Sequence, residues 1–165
     1  MINIKDIRNF IVKELVNHIG KPVIPSNNIG KKPPYPYILY KFTTPYNSQN
    51  NSIEIDETIP SLGTKFKYDI KTTRIEQPSI TISFTAVSKD EMESIDLAMQ
   101  LKDWFRLKGY YLLKRNNLIV KSIEAFGNRD SLIVGDYERK VGFDVILRTV
   151  DETSIIVETI EQLGE

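Results

Sequence analysis

The chain has 165 residues, 41% of them hydrophobic and 27% charged, a composition ordinary for one compact domain of a soluble globular protein. Its 22 basic and 22 acidic residues balance, so the chain as a whole has no electrostatic attraction to nucleic acid or anionic lipid. The absence of cysteine excludes disulfides, thiolate catalysis and sulfur-bound zinc.

At the N-terminus, Lys5, Asp6 and Arg8 interrupt the apolar run that a signal peptide needs, and no later segment is long and apolar enough to span a bilayer. A soluble protein made and used without secretion is expected, with no membrane partner. Ile4, Ile7, Ile11 and Leu15 recur at helical spacing. They predict an amphipathic helix from about Ile4 to Ile19, with Asn3 as N-cap, Asp6 in the capping-box position, and Gly20 and Pro22 as stop signals. The proline-rich stretch from Lys21 to Pro36 reads as a surface connection, and Tyr37 to Thr43 as a strand.

The segment from Thr44 to Thr64 is the least structured by its residues, yet it carries Tyr46, Ile53, Ile55, Ile59 and Leu62. The plain reading is a long loop folding back on its own domain; the sharper one is an arm that docks on a neighbouring subunit. Period-two alternation then predicts strands over Phe66 to Lys71 and Ile80 to Ala86, antiparallel with one packed face. Ser88 reads as the N-cap of a second helix, Glu91 as its capping-box acid and Gly109 as its end. Leu97, Ala98, Leu101, Trp104 and Phe105 form a broad stripe for the sheet. Met92, Ile95 and Met99 form a second stripe, for the first helix or for another subunit.

Beyond Gly109 lie a turn at Lys114 to Asn117, a strand from Leu118 to about Phe126, a break at Gly127 to Ser131, and a long strand from Tyr137 to Val150. That strand places Tyr137, Val141, Phe143, Val145 and Leu147 on one side and Glu138, Lys140, Asp144 and Arg148 on the other. Residues Ile155 to Leu163 fit either a last strand or a helical stripe. The order implies an α+β domain, a mainly antiparallel sheet with two helices packed on one face, and a single domain over residues 1 to 165.

Motifs for chemistry are lacking. The single histidine, His18, sits where a cation complements a helix C-terminus, and any metal site would need oxygen ligands alone. Asp90, Glu91 and Glu93 are accounted for by the dipole of the second helix. No Gly-x-Ser-x-Gly elbow or phosphate-loop spacing occurs, and neither a catalytic residue nor a cofactor is expected. Lys65, Lys67, Lys71 and Arg74 lie beside Tyr68 and suggest an alternative function, a nucleic-acid-binding accessory module using residues 65 to 74. Because Lys67 and Lys71 alternate with Asp69, a solvated face is the stronger reading and no specific nucleic-acid binding is expected.

Three stretches carry a family resemblance: Ser83 to Glu91 with Leu101 to Phe105, the turn Asn128-Arg-Asp130, and Tyr137 to Asp144, with Pro34 to Ile38 upstream. From about Pro33 to Leu163 the chain resembles the neck or tail terminator proteins of tailed bacteriophages. The resemblance implies a non-enzymatic virion subunit, assembled in the host cytoplasm as a ring, usually hexameric. It implies that the ring caps the head-proximal end of the tail tube, stops its polymerisation and offers a surface to the head connector. Its partners would be other copies of the chain, the tube protein and connector proteins. A ring made by head-to-tail contacts needs two complementary patches per subunit. Residues 44 to 64 are the candidate for one. Met92, Ile95 and Met99 are candidates for the other; the guanidinium of Arg129 suits carboxylates across an interface, the alternative being that Asn128, Arg129 and Asp130 form a plain Asx-type turn.

Overall fold

The structure, a computed structural model, describes residues 2–28, 30–48, 52–61, 63, 67–133 and 136–158. Strand outweighs helix, 49% against 28%, in the α+β class expected from the element order. Backbone contacts divide the chain into two compact units where the sequence suggests one domain. The larger is Asn3–Asn47 with Ser79–Thr149; the smaller is Met1–Ile2, Ser48–Pro78 and Val150–Glu165.

The larger unit begins with α1 (Ile4–Ile19), bounded as its caps predict: Asn3 accepts from the amides of Lys5 and Asp6, and Gly20 closes the helix at φ 70°. Its sheet runs β1 (Val23–Pro25), β2 (Tyr37–Asn47), β5 (Ser79–Ser88), β9 (Asp136–Arg148), β6 (Ile119–Ile123), with β7 (Gly127–Asn128) and β8 (Ser131–Ile133) also on β9. Only the short β1–β2 pair is parallel. The β5–β9 register sets Ile80, Ile82 and Phe84 opposite Leu147, Val145 and Phe143, giving one apolar face. On it packs α2 (Glu91–Arg106), with Leu97, Leu101, Trp104 and Phe105 buried. The Phe105 ring sits 5.2 Å from that of Phe84.

Three expectations shift. The second helix is capped by Asp90 and not by Ser88; the Ser88 hydroxyl instead accepts from the Asp90 amide and bonds Glu93, while Ser88 itself ends β5. The helix does not run to Gly109. It stops at Arg106, turns at Leu107 and resumes as α3 (Lys108–Arg115), so three helices are present among the described residues where two are expected. Gly109 lies inside α3 and not at a helix end, and a Cβ there would lie 2.5 Å from the buried Trp104 ring. Along β9 the expected sidedness holds from Val141 to Leu147 but inverts at its start, where Tyr137 is 53% exposed and Glu138 only 2%.

The smaller unit overturns the loop reading of 44–64. Residues up to Asn47 continue β2, and β3 (Ser52–Pro60) pairs antiparallel with β4 (Tyr68–Glu76) in a hairpin. The last segment is a strand, β10 (Asp151–Glu158), on the other edge of β4, so the helical alternative fails over 155–158. Residues 159–163 of that prediction lie outside the described residues. The result is a three-stranded antiparallel sheet, β10-β4-β3.

Candidate docking surfaces and polar clamps

In the three-stranded sheet, register decides which side chains share a face. Ile53 opposes Ile75, Ile55 opposes Thr73 and Ile59 opposes Asp69, so the three isoleucines of β3 lie on one face together with Ile156. The other face groups Tyr68 and Ile70 with Ile155 and Val157. Ile53 and Ile155 are each 62% exposed, one on either face, so apolar surface is open on both sides of a thin sheet. Leu62 lies outside the described residues. Tyr46 belongs to the larger unit, near the end of β2, and is exposed.

On α2, Met92 and Met99 are exposed and Ile95 is half-buried. Met92 borders an open depression of about 390 Å³ with Lys21, Pro36 and Asp96. The second stripe is therefore accessible in the chain, although α1 packs against α2.

Arg129 is held within its own unit. Its Nη1 donates to Ser83 Oγ (2.6 Å) and Thr85 Oγ1 (3.0 Å), and its Nη2 to Asp144 Oδ1 (3.0 Å). The guanidinium lies flat on Gly142, where a Cβ would come within 2.7 Å of it. Burial raises the Asp144 pKa, but bonds from Ser83 and Arg129 outweigh it and the net direction is down. Next to it, Asp130 accepts from the Lys140 amide (2.6 Å), from Arg139 (3.1 Å) and from Asn128 (3.2 Å). The amide bond from Lys140 is the main reason its carboxyl is held below the usual range. The 127–131 turn is thus fastened to the sheet by the Arg129 and Asp130 side chains, while Asn128 bonds Asp130 within the turn. Gly142→Ala should displace Arg129 and cost about 1–2 kcal/mol in urea unfolding, the worth of a pair of hydrogen bonds. In an Arg129→Ala background the same change should cost almost nothing, a coupling that a double-mutant cycle reads directly.

A second clamp escaped the sequence reading. The buried Glu138 carboxylate accepts from Lys32 Nζ (2.9 Å), Tyr35 OH (2.7 Å) and Tyr37 OH (3.2 Å) on Oε1, and Lys140 Nζ lies 2.8 Å from Oε2. Desolvation pushes its pKa up, yet the bonds from Lys140, Tyr35 and Lys32 prevail and hold it at about 2. Burial, and then the Glu138 charge, push the Tyr37 phenol up. The cluster borders a cleft of about 120 Å³ lined by Ile24, Asn28 and Leu39 among others. It ties the 31–37 connection to β9. The available signal was the Tyr35, Tyr37 spacing, which sends both phenols to the same side of an extended chain.

The basic stretch proposed for nucleic acid is divided. Lys65 lies outside the described residues, Lys67 sits 5.3 Å from the Tyr68 ring, and Arg74 pairs with Glu76 at 2.8 Å. Among the described residues no group of three or more His, Asp or Glu side chains is placed to hold a metal ion. Among the described residues no helix is long and apolar enough to cross a membrane.

Residues 4–165 match the family model described as phage neck terminator protein. The chain belongs to that family. Among curated proteins nothing matches it. The neck terminator family is a structural one, not typically enzymatic, and membership makes the chain a virion component that meets other phage tail and head proteins. The matched span includes residues of both units.

Proposed function

We propose that the protein forms a ring, hexameric in the finished virion, that caps the head-proximal end of the tail tube, stops further addition of tube subunits and presents its opposite rim to the head connector. The family match over 4–165 carries this reading. The open apolar strands of the smaller unit and the accessible Met92, Ile95 and Met99 support it, since a closed ring needs two different patches on each subunit. Residues Ile53, Ile55 and Ile59 of the smaller unit are assigned to the first patch, with Leu62 at the end of the same segment, and Tyr46 of the larger unit is a separate contact candidate. Arg129 acts indirectly, by holding the 127–131 turn in place. The basic stretch 65–74 is a weak candidate for nucleic acid, because β4 runs between two strands rich in carboxylates.

Light scattering after size exclusion, with purified tail tubes absent and then present, tests the proposal. Six copies of the 19.0 kDa chain, about 114 kDa, or a monomer that forms rings only on tubes, is the expected result. A monomer indifferent to tubes would overturn it. Ile53→Asp with Ile55→Asp should leave the melting temperature nearly unchanged, since both side chains are exposed, while abolishing ring formation.

A further inference from the structure

The chain is neutral overall, but its charges are segregated in the fold. The three strands of the smaller sheet carry eight acidic residues against two basic ones. The two outer strands hold six of the acids and no base: Glu54, Asp56 and Glu57 on β3, and Asp151, Glu152 and Glu158 on β10. The opposite excess occurs at one end of the larger unit. From Lys102 to Lys121 there are six basic residues and one acid, Asp103. This stretch is the second half of α2, all of α3 and the start of β6, elements that contact one another. Arg106, Lys108, Lys114 and Arg115 are exposed there. Leu107 and Tyr111, each 68% exposed, lie among them.

We propose that the acidic three-stranded sheet of one subunit docks on the basic α3 end of a second copy of this chain. The proposal rests on the ring reading above, keeps the sheet as one of its two patches and puts the α3 end in place of the Met92, Ile95 and Met99 stripe as the other. Opposite charge excess selects the pairing and speeds encounter. The apolar side chains on both surfaces supply the area to be desolvated, Ile53, Ile55 and Ile156 from one face of the sheet meeting Leu107 and Tyr111. The acidic outer strands also argue against the simplest rival, in which two such sheets pair with each other. Like charges directly opposite on adjoining edges repel, and charged edges are a usual means of blocking edge-to-edge pairing. A patch that repels its own copy and attracts a different patch makes a head-to-tail contact, the kind that closes rings.

The test uses the full-length chain in two variants. The first carries Glu54→Lys, Glu57→Lys and Glu152→Lys; the second carries Lys108→Glu, Lys114→Glu and Arg115→Glu. Sedimentation is measured at low and high salt, with tail tubes present if the wild type assembles only on them. Alone, each variant sets like charge against like, and assembly should weaken on the order of tenfold or more. Mixed in equal amounts, the two provide complementary pairs at every contact of an alternating ring, so wild-type mass should return. Such rescue also shows that both variants fold. Wild-type assembly should weaken as salt screens the contact. Variants that assemble alone as the wild type does, or folded variants that mixing fails to rescue, would overturn the docking while leaving the ring reading intact. A wild type that never self-associates, with or without tubes, would overturn both. If the second variant loses binding to a single-stranded oligonucleotide but still assembles, the basic end serves nucleic acid and the docking is likewise overturned.

Discussion

Glu138→Gln should destabilise the protein by about 2–4 kcal/mol at neutral pH, because it removes one partner of a buried charge cluster and leaves the others without compensation. Lys32 and Lys140 both point their ammonium groups at this carboxylate, and both tyrosines donate to it. The effect has a characteristic pH dependence. A carboxyl held at about 2 in the folded protein, against an ordinary 4.5, is depressed. Its contribution is therefore complete above pH 4.5 and is lost as the pH falls from there through about 2. The shift corresponds to about 3 kcal/mol, so the wild type and Glu138→Gln should converge in stability as the pH approaches 2. Urea unfolding of both at a series of pH values, taken as a difference, removes the parallel titration of Asp130 and Asp144. A gap that stays constant from pH 6 to pH 2 would refute the ionised cluster.

Gly109→Val should cost about 3 kcal/mol, the upper end of what overpacking a well-filled core costs. A glycine in a helix ordinarily gains from substitution, about 1 kcal/mol for alanine and less for a β-branched residue. Here the sign is decided by Trp104. Three atoms of its ring stand 2.5–2.7 Å from where the new Cβ would be, and the ring is buried against Phe105, its centroid 4.8 Å away, so it must shift to admit a side chain. Gly109→Ala should be milder, about 1–2 kcal/mol, because its helix gain offsets part of the clash. Urea midpoints with unchanged m-values would place the effect in the folded state. An alanine variant more stable than the wild type would show that the ring yields.

Local signals were decisive wherever they had no competitor. Asn3, Gly20 and the isoleucine spacing bound α1 at both ends, since a cap and a left-handed glycine act within one turn. Over 44–64 the same kind of reasoning missed a strand. Ile53, Ile55 and Ile59 alternate with polar residues as a strand should, but the polar composition of the segment as a whole reads as a loop. The hairpin is formed by pairing with β4, a contact whose energy is not written in either segment alone. At Gly109 a C-terminal signal was misread for a different reason: the glycine is needed for close approach to Trp104, and the same residue type serves both purposes.

The sequence by itself determined the α+β class, the α1 boundaries, the sheet-facing stripe of α2 and the apolar side of β9 from Val141 onward. These follow from periodicity and capping, which neighbouring residues settle among themselves. It also determined the family, through stretches spread over most of the chain. Tertiary structure alone decided the division into two units, the burial of Glu138 and the internal engagement of Arg129. It likewise decided the gathering of acids from β3 and β10 on one small sheet. Each depends on residues far apart in the chain, Lys32 with Glu138 or β3 with β10 across β4, being brought together by strand register. Register is a property of the pairing, and no single segment contains it.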